Sequence, residues 1–191
     1  MARAKPSQSR PAWSKGADGV WEVRLVLANA EQFYHSLDPS PFRDRDLDRD
    51  AAAFIVEEVE ELPKDEPVRL VLSVPADSLA PMAQAPQAIR HYFERLAEST
   101  ARQLRRMVRL AGHSLIIGMM FVFVVIAVAR VLLEAAGEHT LLSALLEGLT
   151  IVAWVALWRP TEMFLYDWWP VRARVRLYRR VANLPVVVEP R

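Results

Sequence analysis

Hydrophobic residues follow two different patterns along this chain. In the front part they alternate or recur at helical spacing; after residue 110 they run together. Over Val20–Leu27, Trp21, Val23, Leu25 and Leu27 alternate with Glu22, Arg24 and Val26, the period of a half-buried strand. Val68–Val74 repeats the pattern, with Val68, Leu70, Leu72 and Val74 on one face and Arg69, Val71 and Ser73 on the other. Between them Ile55, Val59 and Leu62 recur at helical spacing beside Glu57, Glu58, Glu60 and Glu61, and Pro63 closes the helix. This predicts a strand–helix–strand unit with one polar sheet face. Asn29 and Gln32 stand at capping-box spacing, so a short helix is expected after Asn29. Two strands are too few to be stable alone. Pro185–Glu189 (PVVVE) is a candidate third, paired within the chain or supplied by a neighbouring copy.

From Ile89, Phe93, Leu96 and Thr100 follow a heptad-like order, and Glu94, Glu98 and Arg102 share a face. No breaker separates this helix from the uncharged run Leu115–Ala129, so one long helix is expected. A span needs about 20 residues, and extension over Leu110–Leu133 supplies them. The second run, Thr140–Trp158, carries one charge, Glu147. The short connection around Gly137 predicts an antiparallel hairpin. Pro160 suits the first turn of a further helix, Thr161–Trp169 is expected along the interface, and Pro170 is expected to break it. Val171–Ala182 is read as a helix in preference to a strand.

Charge distribution gives the hairpin an orientation. Arg102, Arg105, Arg106 and Arg109 precede the first run, and Arg159, Arg172, Arg174, Arg176, Arg179 and Arg180 follow the second. The turn holds Glu134, Glu138 and His139 but no Lys or Arg, so both termini are expected in the cytoplasm. Trp154, Trp158, Tyr166, Trp168 and Trp169 are expected as interfacial anchors. Arg172, Arg176 and Arg179 are expected to contact lipid headgroups rather than nucleic acid.

With the turn centred between Glu138 and His139, Arg130 and Glu147 are equidistant from it, so they are expected at similar depth as an intramembrane charge pair. An unpaired charge mid-span costs about 2.5–3.5 kcal/mol on insertion scales. One pair without further polar groups is a poor relay, so a packing lock, or Arg130 reaching the outer interface with Glu134 one turn away, is preferred over an ion path. Ser114 with Gly118, and Ala144 with Gly148, offer small-residue faces.

Composition limits the chemistry. The 191 residues contain no cysteine, which excludes disulfides, thiol catalysis and thiolate metal sites. The basic N-terminus Met1–Lys15, with Pro6 and Pro11, lacks the apolar stretch of a secretory signal. Asp46, Asp48, Asp50 and Glu57 fall at calcium-loop spacing, but Ala51 occupies the position that needs glycine, so an acidic helix start is preferred. His35, Ser36 and Asp38 are neighbours in sequence, which does not make a triad. Gly112-His-Ser114 lacks the closing glycine of a nucleophile elbow, and His113 has no second ligand at helical spacing. No P-loop, zincin or dinucleotide motif occurs.

The stretch Val152–Pro170 (VAWVALWRPTEMFLYDWWP) resembles a bacterial family of uncharacterised two-span membrane proteins, and so does Ser36–Asp48 (SLDPSPFRDRDLD). The resemblance covers most of the chain from Val20 onward and implies architecture and bacterial origin only.

The expected fold class is an α+β membrane protein: a small βαβ cytoplasmic domain and a transmembrane helical hairpin extended by a long cytoplasmic helix. The expected division is a disordered basic arm (1–18), the strand–helix–strand domain (19–75) and a linker (76–86). A helix continuing into the first span (87–136), the second span (140–158) and an aromatic, basic segment with the C-terminal strand (159–191) follow. The expected role is a non-enzymatic anchor or assembly subunit in a bacterial inner membrane. Its expected partners are the lipid bilayer, copies of itself and other membrane proteins, with no cofactor and no metal. A small homo-oligomeric ion channel is the alternative.

Overall fold

The computed structural model describes residues 12–34, 47–136 and 140–191. The stretch around His35, the acids Asp44 and Asp46, and the connection Gly137–His139 therefore lie outside the described residues. The chain is a mixed α+β protein, mostly helical, and divides into two compact units: Met1–Glu98 with Val175–Arg191, and Ser99–Arg174.

The first unit is built on four strands: β1 (Trp13–Lys15), β2 (Trp21–Val26), β3 (Val68–Val74) and β4 (Val186–Pro190), side by side in that order. β1 and β2 are antiparallel; β3 runs parallel to β2 and β4 parallel to β3. Helix α1 (Arg49–Glu61) connects β2 to β3. Asp48 caps it by accepting from the backbone N–H groups of Asp50 and Ala51, at 2.9 and 3.4 Å. Asn29 likewise caps a short 3₁₀ turn at Ala30–Gln32, while the Gln32 side chain accepts from the Ala28 N–H.

Two features of this unit differ from the sequence expectation, and a third settles an alternative it left open. The segment 1–18, expected as a disordered arm, contains β1. Its turn needs Gly19 at φ 79, and the Asp18 carboxylate accepts from the Val20 N–H. The segment 76–86, expected as a linker, folds into a 3₁₀ turn at Ala76–Ser78 and helix α2 (Leu79–Met82), with Met82 and Ala85 fully buried. The apolar spacing of Leu79, Met82 and Ala85 is what the proline-rich composition concealed. The C-terminal strand pairs with β3 of its own chain, placing Val186 opposite Leu70 and Val188 opposite Leu72.

The core of this unit lies on one face of the sheet. Val23, Leu70, Leu72 and Val74 meet Ile55 and Val59 of α1, Met82, Ile89, Phe93 and, near the end of the chain, Val181. Burying such side chains stabilises the fold by about 1.5–3 kcal/mol each.

Helix α3 runs unbroken over Ala85–Ala136, and its residues from Ser99 onward belong to the second unit. That unit continues with α4 (Thr140–Glu162), one π turn (Met163–Asp167) and the start of α5 (Trp168–Ala182). Pro170, expected to break a helix, does not; it sits in the first turn of α5. The π turn has already interrupted the i→i−4 ladder there, so the missing N–H removes little. Between α3 and α4, Val122 and Val125 bury against Ala153, with Leu157 packed beside them. Gly118 lies so close to Leu157 that an added Cβ would stand 2.9 Å from its Cδ2.

Candidate functional site

Among the described residues one helix, α3, is long and apolar enough to cross a membrane. Only 17% of its most apolar stretch is buried, whereas the core helix of a water-soluble domain buries most of such a stretch. The exposed side chains surround the helices of the second unit: Ile117, Met120 and Phe123 on α3, Leu145, Ile151 and Val155 on α4. Two of the hydroxyls there are satisfied locally. Thr150 and Thr161 donate to the carbonyls four residues back, Leu146 and Leu157, at 2.8 Å each.

The structure spreads the predicted anchors along α4, the π turn and the start of α5. Trp154, Trp158, Tyr166 and Trp169 are each more than 60% exposed, and Trp168 is half-buried. Trp168 stands at one side of an apolar groove of about 390 Å³, lined by Met107, Val108 and Ala111 on α3 and by Met163, Phe164 and Leu165 in the π turn. The Arg172 guanidinium lies over the Trp168 ring at 5.6 Å, joining a cation to the groove's rim.

The predicted headgroup arginines separate. Arg172 belongs to the helical unit and is exposed, while Arg176 and Arg179 are exposed on the part of α5 that belongs to the sheet unit. Their neighbour Arg180, not singled out in the sequence, has a structural task. It donates to the carbonyls of Leu62, Pro63 and Glu66 at 3.5, 2.5 and 3.3 Å, closing the chain after α1. No local pattern indicates this, because the acceptors lie more than a hundred residues away.

Arg130 and Glu147 are both exposed, and the structure does not bring them into an ion pair within one copy of the chain. His113 is also exposed. Among the described residues no group of three His, Cys, Asp or Glu could hold a metal ion.

The polar sheet face of the first unit carries an ion network. Arg69 donates to Glu22 through Nε and a terminal nitrogen and to Asp18 at 2.9 Å. Arg24 bridges Glu22 and Glu189 at 3.3 and 3.4 Å. Hydrogen bonds from Arg69 hold the Glu22 carboxyl below its ordinary value against the opposing effect of burial. Glu66 is lowered by hydrogen bonds from Lys15 and Trp21. Glu58, whose Oε2 is buried without a hydrogen-bond partner, is raised, chiefly by burial and then by Glu61.

The chain matches no protein-family model, no curated protein and no solved structure.

Proposed function

We propose that the chain is a two-span, non-enzymatic anchor of a bacterial inner membrane that presents its sheet unit to the cytoplasm and associates with copies of itself. The observation carrying this reading is the apolar exterior of α3 and α4. Two helices apolar on nearly all sides need either a larger protein core or lipid around them. Other features support the same reading. The contact at Gly118 and Leu157 moves toward Val122 and Val125 on α3 and toward Ala153 on α4, the opposite steps of an antiparallel pair. Arginines stand before the first apolar run and after the second, with none in the connection. Exposed tryptophans suit the interface, where their rings are apolar and their N–H groups find water or headgroups. The resemblance of Val152–Pro170 to two-span bacterial proteins belongs to this reading.

Two measurements test it. The chain is expected to stay with membranes after alkaline carbonate extraction; its release would overturn the anchor. Reporters fused at Ser7 and Glu189 are expected to give cytoplasmic signals and one inserted at Gly137 a periplasmic signal. A periplasmic signal from either terminal fusion would overturn the topology.

A further inference from the structure

Arg130 and Glu147 lie on an apolar surface, both exposed, and neither side chain has an ion pair or hydrogen bond to another described residue. Lipid tails offer neither charge a partner, so the arrangement is costly until something else supplies one. The packing of the two helices indicates what does.

Ala129 and Leu146 are buried, and each charge is the next residue along its helix. An α-helix turns about 100° per residue, so each charge stands about 100° from the buried position before it. Antiparallel helices turn in opposite senses when viewed from one end. The two rotations therefore carry Arg130 and Glu147 to the same side of the pair. Counted from the contact of Gly118 with Leu157, their depths differ by about 3 Å. Axes 8–10 Å apart, typical of packed helices, leave the two side chains next to each other rather than tip to tip.

This face is self-complementary. A two-fold axis along the membrane normal turns the pair about so that α3 faces the second copy's α4. It sets Arg130 against the second copy's Glu147 and Glu147 against the second copy's Arg130, at matching depth. A two-fold axis in the membrane plane would invert one copy and contradict the arginine distribution. Around the charges the face is apolar, with Phe123 and Ile126 on α3 and Ile151 and Trp154 on α4 exposed. Resting on the two-span reading above, we infer that Arg130 and Glu147 form two reciprocal ion pairs between two parallel copies of this chain, in an isologous four-helix interface.

Charge complementation tests this directly. Chains carrying R130E or E147R, under different tags, are each expected to lose self-association by roughly tenfold, because like charges then meet. Co-expressed, the two should capture each other to within roughly threefold of the native chain, since every facing pair is again opposite in sign. If they fail to do so while the doubly reversed chain R130E/E147R associates normally, the pair forms within one copy and the inference is overturned. Undiminished association of either single variant also overturns it.

Reversed charges could block insertion, so cysteine cross-linking gives a second measurement. The chain has no native cysteine. Mild oxidation in membranes should join R130C chains to E147C chains several-fold faster than it joins either kind to itself. Equal rates, or no cross-link, overturn the inference. Carbonate extraction of the same membranes separates the two levels: release of the chain overturns the two-span reading and the inference with it. A retained chain that neither complements nor cross-links overturns the inference alone.

Discussion

The two compact units place the same residue types on opposite sides. In the sheet unit Phe33 and Phe93 are fully buried; in the helical unit Phe123 is 74% exposed and Trp158 73%. The sheet unit alternates apolar and charged positions, which puts its core on one sheet face and ion pairs on the other. The helical unit buries a narrow contact of small and medium side chains, Gly118, Val122, Val125 and Ala153, and turns its larger ones outward. Residue type alone does not distinguish a core from a surface. Periodicity does: period two and a one-sided helical stripe in the first unit, nearly unbroken runs in the second.

The largest expected effect sharpens this contrast at two phenylalanines. Phe93→Ala should destabilise the sheet unit by about 3–5 kcal/mol, the cost of lost burial plus a cavity. In the dissociated single chain, Phe123→Ala should change the stability of the helical unit by less than about 0.5 kcal/mol, because its proposed packing is against a second copy. Unfolding of both variants in detergent that separates the copies checks this. Equal losses there would mean that Phe123 packs against protein within one copy.

Second in size is a pair of arginines. Arg180→Ala removes a charged donor from three backbone carbonyls and should cost about 1.5–3 kcal/mol. Arg172→Ala loses one exposed stacking contact on Trp168 and should cost about 0.5–1 kcal/mol in the same assay. Its larger effect is expected on the capture of anionic vesicles, where Arg180→Ala should be silent in a folded chain. Identical behaviour of the two would remove the distinction between an arginine that holds backbone carbonyls and one proposed to meet lipid headgroups.

How much of this was legible follows from the range of each signal. β2, β3 and α1 rest on local periodicity, and their patterns are visible within a few residues. β1 is three residues long inside a basic, proline-containing stretch, although Asp18-Gly19 between Trp13 and Trp21 is a hairpin signal. Arg180 acts on carbonyls distant in sequence, beyond any local pattern. Equal distance of Arg130 and Glu147 from the turn indicates depth but not azimuth. Azimuth requires the buried stripe through Val122, Val125 and Ala129 on one helix and Leu146 and Ala153 on the other.

Third come two glycines. An added side chain at Gly118 meets Leu157, while nothing stands within 4 Å of an added Cβ at Gly148. Gly118→Val should therefore cost about 1–3 kcal/mol through overpacking. Gly148→Val should stay within about 0.5 kcal/mol of the native chain. Thermal unfolding of the two variants side by side decides whether α3 and α4 meet on the Gly118 side.

The smallest expected effect is a pH dependence confined to the sheet unit. Glu22 is held low by hydrogen bonds and charge from Arg69, aided by Arg24, and Glu66 by hydrogen bonds from Lys15 and Trp21. Both therefore release protons more readily when folded than when unfolded. Their contribution to stability is complete above the ordinary glutamate value of 4.5 and is lost as pH falls through their lower folded values. Glu58 has the opposite sign. Burial, then Glu61 and Glu57, raise it, against a hydrogen bond from the Ala12 backbone. The folded unit thus holds this proton more tightly, and stability falls as pH rises from 4.5 through the raised value. The two trends predict a shallow stability maximum on the acid side of neutrality. Glu58→Gln should flatten the high-pH side and leave the acid side unchanged, and Glu22→Gln should weaken the acid side alone. The contact of Val122, Val125, Ala153 and Leu157 contains no titratable group, so helix packing should not follow this curve. Thermal melts from pH 3 to 8, with the sheet unit read in the infrared sheet band and the helical unit at an isotope-labelled Val122 carbonyl, test the division. A labelled band that tracks the sheet band across that range would show that the two units unfold as one.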